Sequence, residues 1–284
     1  MDLGLFLPPL VACLVIVAIH SYLGLHVIAR EVIFVDLSLA QMAALGSAVA
    51  ILAGSQPDSK AAFLYALGFT TLGAVVFALT RTDHHGRVPQ EAIIGIVYVM
   101  ASAAAILVAD RTPRGGEAIK DILVGSLLWV TWPTIARLAG LYAVIGLFHW
   151  LLRDRFLTIS FRPETALARG WSIRWWDFWF YLSFGIVITL SVPIAGVLLV
   201  FSFLVVPAAI AFQFAQTQGA LALISWLAGV LASAMGLWIS FHYDLPTGPV
   251  VVCMFGLLLL AAFLARRVLG LRTEPILEPA AGRT

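Results

Sequence analysis

Asp36, Ser38 and Gln41 stand in the stretch FVDLSLAQMAALG, residues 34 to 46, inside a run that otherwise reads as lipid-soluble. The surrounding segment, Val32 to Gly54, is long enough to cross a bilayer. A charge at that depth costs at least about 2.5 kcal/mol on insertion scales, so it needs a reason to be there. Three reasons are physically open. Asp36 and its neighbours can line a polar pathway and attract cations. Asp36 can pair with Arg30, about one and a half turns away. Or Asp36 can bind a metal directly. Geometry limits the last option. On a helix Asp36 and Gln41 are separated by about 140°, and Ser38 points in a third direction. One ion meets both only if the helix is distorted or a second copy contributes.

Other polar residues offer less. His20 and His26 fall in and near the end of the first apolar run. His20 is a weak metal candidate, because an isolated membrane histidine ordinarily hydrogen-bonds a neighbouring helix. His84 and His85 in RTDHHGR can converge with Asp83 on a metal, but the motif first reads as a solvated turn. His242 and Asp244 in FHYDLPTG are candidates for an outer mouth that guides a cation, although Pro246 and Gly248 make the motif first of all a turn. Cys13 and Cys253 both lie in apolar runs and do not suggest a disulfide framework.

The elements that must position these residues are membrane helices. Of 284 residues, 62% are hydrophobic and 11% charged, and the mean hydropathy is +1.01. A soluble domain carries about 25% charged residues. The apolar spans fall near 5–28, 32–54, 61–80, 92–109, 134–152, 177–192, 196–214, 220–241 and 248–265, each close to the ~20 residues that cross a hydrocarbon core. The expected fold is therefore all-α, a polytopic helical membrane protein with eight or nine transmembrane helices. The uncertain count lies at 177–214, broken by Pro193, Gly196 and Pro207. The first span lacks a basic leader and reads as a retained helix. Residues 119–130 are apolar but short, which suggests an interfacial or re-entrant piece. A net charge of +2 with scattered arginines gives no reason to expect nucleic acid.

Placing the polar interval 153–176 in the cytoplasm puts twelve basic residues inside: Arg30, Arg81, Arg87, five between Arg153 and Arg174, and Arg266, Arg267, Arg272 and Arg283. Only Lys60, Arg111, Arg114, Lys120 and Arg137 stay outside, which satisfies the positive-inside rule. Trp171, Trp175, Trp176 and Trp179 then mark where that interval re-enters the headgroup layer. The chain carries no GxxxxGK[ST], HExxH, paired CxxC or GxSxG pattern, so energised work would draw on a partner or an ion gradient. Within SFRPETALARGW, Pro163 suits a first helical position, Glu164 the positive end of the helix dipole, and Gly170 a stop. That composition fits either a solvated loop or a docking helix for a cytoplasmic subunit.

Five segments, in order, resemble the permease subunit of bacterial zinc and manganese ABC importers. Arg30–Gly46 occupies the place of the family's "RgxsligDalsHavlpG". KDILVGSLLWVTW at 120–132 is similar to "lfGdllavs", and Glu164, Ala166 and Gly170 match its coupling loop. PIAGVLLVFSFLVVPAAIAFQFA at 193–215 resembles "vGvlLv.alLv.PaaiA", and YDLPTGPVVV at 243–252 resembles "yxlDlPtGptIv". The resemblance spans roughly residues 10 to 266. It implies a transmembrane permease domain over 1–266, a disordered cytoplasmic tail over 267–284, and a fold like the cobalamin and siderophore importers. It also implies residence in the bacterial cytoplasmic membrane. The expected partners are a separate ATP-hydrolysing subunit, an extracytoplasmic binding protein and a second permease copy. This chain would be no enzyme and hold no cofactor; its cargo would be a divalent ion, zinc before manganese. The sequence departs from the family at the Asp and His four residues apart that face the pathway, where Leu37 and Gln41 stand instead. A chelated metal or another small solute suits such a softer channel. The rival expectations are a gradient-driven carrier, a membrane enzyme, or a permease-like subunit that no longer transports.

Overall fold

The computed structural model describes residues 3–57, 59–81, 88–112 and 124–270. Among these it contains ten helices and no strand: α1 (Leu3–Ala29), α2 (Val35–Leu52), α3 (Lys60–Leu79), α4 (Gln90–Ala109), α5 (Trp132–Leu151), α6 (Arg153–Phe161), α7 (Pro163–Ala168), α8 (Ile173–Phe214), α9 (Gln218–Tyr243) and α10 (Thr247–Val268). A 3-10 turn, Leu127–Trp129, precedes α5. Eight of the helices are long and apolar enough to cross a membrane.

The 42-residue α8 decides the topology. Laid straight it would run about 63 Å, twice the hydrocarbon thickness. Its two ends are instead close together. Asp177 near its start bonds Arg30, at the end of α1. The ring of Phe212 near its end lies 6.5 Å from Phe161, which lies 6.0 Å from His26, one turn before Arg30. The helix therefore doubles back. The reversal is at Gly196, whose φ of 76° and ψ of 156° leave helical space; Pro193 just before it removes a backbone donor as well. Each arm is long enough for a single span, so the described residues offer nine candidate passes: seven single helices and the two arms of α8. The break at Pro193 and Gly196 gives the higher of the two counts, eight or nine, expected from the sequence. The basic ends of α1, α5 and α10 then share one side with α6 and α7.

Helices α1 and α8 form the buried centre. Helices α2 and α3 pack on α8 with α4 laid against α2, α9 and α10 pack on α8 and on each other, and α5 leans on α1. Close approach comes from small residues, as expected where lipid removes the hydrophobic drive between helices. Gly24 lies against the Leu204 carbonyl and Ala208 of α8, Gly46 against Tyr65 and Ala66 of α3, and Gly229 against Val17 of α1. Helices α4, α5 and α10 are largely exposed, and their outward leucines and valines face lipid.

Residues 125–131, before α5, are irregular apart from the 3-10 turn. They fold onto the α8 elbow: Ser126 N–H donates to Ile194 O (2.9 Å) and its hydroxyl to Pro193 O (3.2 Å).

Candidate functional site

Polar side chains buried in the bundle concentrate toward the end that carries α6 and α7. Asp177 is fully buried and accepts from two arginines: Arg30 Nη1 at 2.5 Å and Arg81 Nη1 at 2.7 Å. One carboxylate thus ties together the end of α1, the end of α3 and the start of α8. Arg30 also lies flat against Phe180, 4.0 Å from its ring centre, and donates from Nε to Ser160 Oγ (2.7 Å). Ser160 belongs to α6, and it contacts His26 Nδ1 at 2.7 Å. Ser160 accepts from Arg30 and still has both an acceptor site and a proton, so it satisfies His26 Nδ1 in either tautomer.

A second chain of bonds begins one turn further in. Ser183 donates to Phe180 O (2.9 Å) and so accepts from His149 Nε2 (2.8 Å). His149 Nδ1 is then an acceptor for the Tyr22 hydroxyl at 3.3 Å. Its ring stacks on Phe156 at 4.3 Å. A third contact set joins His20, Tyr142 and Ser191. His20 Nδ1 meets Ile16 O at 2.9 Å and Nε2 meets Ser191 at 3.4 Å, while Tyr142 reaches Ser191 and Val187 O. Both nitrogens of His20 are occupied within the bundle, the ordinary role for a membrane histidine, and the described residues bring together no cluster of His, Cys, Asp or Glu able to hold a metal.

The residues singled out from the sequence are distributed as follows. Helix α2 begins only at Val35, so Asp36 sits in its first turn rather than mid-span. There it is buried and accepts from Leu37 N–H at 2.6 Å, at the helix end whose free N–H groups favour an anion. Pairing of Asp36 with Arg30 is not what the fold makes. The chain leaves helical geometry between them, with Glu31 at φ 56°, and Arg30 is committed to Asp177 and Ser160. Ser38 is buried too, its hydroxyl without a partner. Gln41 lies on a different face. Leu37, Gln41 and Leu45 form a half-exposed stripe at four-residue spacing, while Asp36 and Ser38 face the interior.

Glu164 is exposed in the first turn of α7, and Ala166 is buried beneath it. Gly170 adopts φ 71° and closes the helix: Trp171 N–H donates to Ala166 O (3.0 Å) and Gly170 N–H to Leu167 O (2.9 Å). This pair of bonds is the left-handed stop that glycine permits. Arg155 and Arg169 lie over the Trp171 ring at 3.8 and 5.2 Å, which fixes the return to α8. His242, in the last turn of α9, and Asp244, in the turn before α10, are both exposed. His242 stacks on Trp238, and Asp244 at φ 53° ends α9 as part of a turn in which Ser240 donates to Leu245 O (2.7 Å). The RTDHHGR histidines, His84 and His85, together with Asp83, and the tail from 271 onward lie outside the described residues.

Sequence reading missed Asp177, Ser160 and His149. Their partners are 147, 130 and 127 residues away in the chain, so no local spacing could pair them. It also left unnoticed that three of the quoted segments converge at the other end of the bundle. A side chain on Gly125 would fall 2.3 Å from Gly196 N, and one on Gly248 would lie 3.2 Å from Val124 O.

A bundle of helical passes around a twice-crossing central helix, with a short exposed helix pair between two of them, defines a membrane permease. Residues 3–266 match the family model described as the ABC 3 transport family, and the chain belongs to that family. It is 22% identical over 97% of its length, and 94% of the relative's, to a Chlamydia muridarum protein named "Probable metal transport system membrane protein". It is 26% identical to the chelated iron transport system membrane protein YfeC of Yersinia pestis, over 70% of each chain. It is 24% identical to the manganese transport system membrane protein MntC of Listeria innocua, over 78% of this chain and 80% of that one. The fold is that of the solved structure of PsaBC from Streptococcus pneumoniae, with a TM-score of 0.76, 21% identity and 94% of each chain covered.

Proposed function

We propose that the chain forms the translocation pathway of an ATP-driven importer of a divalent metal ion or its chelate. In this reading two permease copies pair above two ATP-hydrolysing subunits, and an extracytoplasmic binding protein delivers the cargo. The observation that carries it is α7. This helix is too short to cross anything, is closed by a glycine stop, and presents an exposed Glu164 and the 55%-exposed Leu167, Glu164 having no hydrogen-bond or ion-pair partner among the described residues. Glu164, Ala166 and Gly170 are the residues assigned to contact the ATPase subunit. Ser160 and Asp177, on either side of α7, then pass its displacement to α1 and α8.

For the cargo, the Leu37–Gln41–Leu45 stripe is the face of α2 free to meet a second copy. It offers one neutral amide and no imidazole, a poor set for a bare zinc ion. Manganese and iron, the metals in the names of two relatives, are therefore preferred over zinc, with a chelated form favoured by the soft lining. His242 and Asp244 remain candidates for the outer mouth. Asp36 and Ser38 are assigned a structural part beside the pathway.

Uptake of radioactive manganese, iron and zinc in metal-starved cells expressing the permease with its ATPase and binding protein tests this. ATP-dependent uptake of manganese or iron is expected. Uptake that persists without the ATPase would overturn the reading in favour of a carrier. Introducing the carboxylate–imidazole pair as Leu37→Asp with Gln41→His sharpens the cargo assignment. On one face at i and i+4, that pair should raise zinc binding to the purified protein by about tenfold or more.

A further inference from the structure

A groove runs along α1 on the membrane side, between α5 and α9. Its apolar part has a volume of about 440 Å³ and is walled by Ile19, Tyr22, Gly146, Leu157 and Ala222. At the end nearest α6 it opens into a wider cavity of about 820 Å³ carrying Arg153, Arg162 and Arg169. Arg153, Leu157, Phe161, Gln218 and Leu221 line both, so the two adjoin. Gly146 and Gly219 flank it, and a side chain at either would meet open space.

The two ends differ in chemistry. At the wide end Asp154 is paired with Arg169 at 3.6 Å, whereas Arg153 and Arg162 have no carboxylate partner among the described residues. Arg153 lies over Trp150, which is 59% exposed at the end of α5, where a tryptophan meets the headgroup layer. On the groove's floor His26 is buried, and its Nε2 has no hydrogen-bond partner. Ser160 occupies the opposite ring nitrogen, so Nε2 is the ring atom left over for a ligand, and it donates to an acceptor oxygen in the tautomer that carries its proton there.

We propose that this groove binds one anionic phospholipid from the cytoplasmic leaflet. Its phosphate sits between Arg153 and Arg162, a glycerol-ester carbonyl accepts from His26 Nε2, and an acyl chain lies along Ile19, Tyr22 and Ala222. A phosphate ion alone would use the arginines and leave the apolar groove unfilled. A lipid fits both ends and arrives from the bilayer that the groove faces. Bound there, it bridges α1, α5, α6 and α9, and so touches the coupling segment from the membrane side.

Native mass spectrometry of the full-length permease, extracted in detergent and offered phosphatidylglycerol or phosphatidylcholine, tests this. The expected result is one retained phosphatidylglycerol per chain and far less phosphatidylcholine. Arg153→Gln with Arg162→Gln should cut retention by at least about tenfold, since each arginine near a lipid phosphate contributes on the order of a fivefold preference. Gly146→Leu should also reduce it, with both arginines intact, by narrowing the groove. If the double variant is not monodisperse, the exposed single substitution Arg162→Gln keeps the test open. Equal retention of the two lipids, or unchanged phosphatidylglycerol in a monodisperse arginine variant, would overturn the proposal. Displacement by millimolar inorganic phosphate would make this a free-anion site and overturn it too. Loss of the co-purifying ATPase subunit with phosphatidylglycerol retention unchanged would make the mouth a protein interface instead.

Discussion

The two ends of the bundle are held by opposite kinds of contact. At the end bearing α6 and α7, helices meet through side chains: Asp177 with Arg30 and Arg81, Ser160 with Arg30 and His26, His149 with Tyr22 and Ser183. At the other end the closest approaches are of backbone, with Gly125 seated on the Ile194–Gly196 elbow and Gly248 beside Val124. The side-chain bonds between helices there, such as Ser240 to Thr247, involve no charged group among the described residues. Side-chain hydrogen bonds are directional and can exchange partners. Backbone seated at Gly125 is packed too closely to admit even a methyl group without a shift. The end at which a cytoplasmic motor would push is thus built from contacts that can be remade, and the far end from contacts that hold a fixed shape.

This contrast can be broken at either end. The largest effect is expected at Asp177. Asp177→Ala leaves two guanidinium groups together without their shared carboxylate, and loss of one partner of a buried pair typically costs about 3–5 kcal/mol. A marked drop in midpoint on denaturant unfolding in detergent would confirm this. Asp177→Asn, which keeps the hydrogen-bonding shape, should lose less. At the opposite end Gly125→Ala places a methyl against Gly196 N in a left-handed backbone, for a cost of about 1–3 kcal/mol. If the side-chain and backbone ends are as different as argued, its unfolding loss should come with no change in the cytoplasmic contacts, read as unaltered protection of α6 amides in hydrogen exchange. The smallest effect is expected at Tyr22→Phe. It removes one hydroxyl from a buried His149 acceptor, about 1 kcal/mol, because the stacked Phe156 and the Ser183 bond still hold the ring.

Much of this architecture was legible because membrane spans are written locally. Runs of about 20 apolar residues, and Pro193 with Gly196 as a break, gave the passes and the place where α8 reverses. The helical angle between Asp36 and Gln41 was also readable, and the fold puts them on separate faces. The depth of Asp36 was not, because the turn at Glu31 that delays α2 carries no glycine or proline to announce it. Proximity in sequence offers Asp36 to Arg30, whereas the partners of Arg30 come from α6 and α8. Such pairs depend on tertiary packing alone, and one sequence contains no periodic signal for them.

The central claim is that α7 carries motion from an ATPase subunit into the α1–α8 centre. The most direct measurement is ATP-driven metal uptake by the assembled transporter in proteoliposomes, wild type against Glu164→Arg. Glu164 is exposed, so the substitution should change stability by no more than about 0.5 kcal/mol. The account predicts that the assembled complex loses uptake while the permease keeps its unfolding midpoint. Undiminished uptake by the Glu164→Arg complex would contradict it.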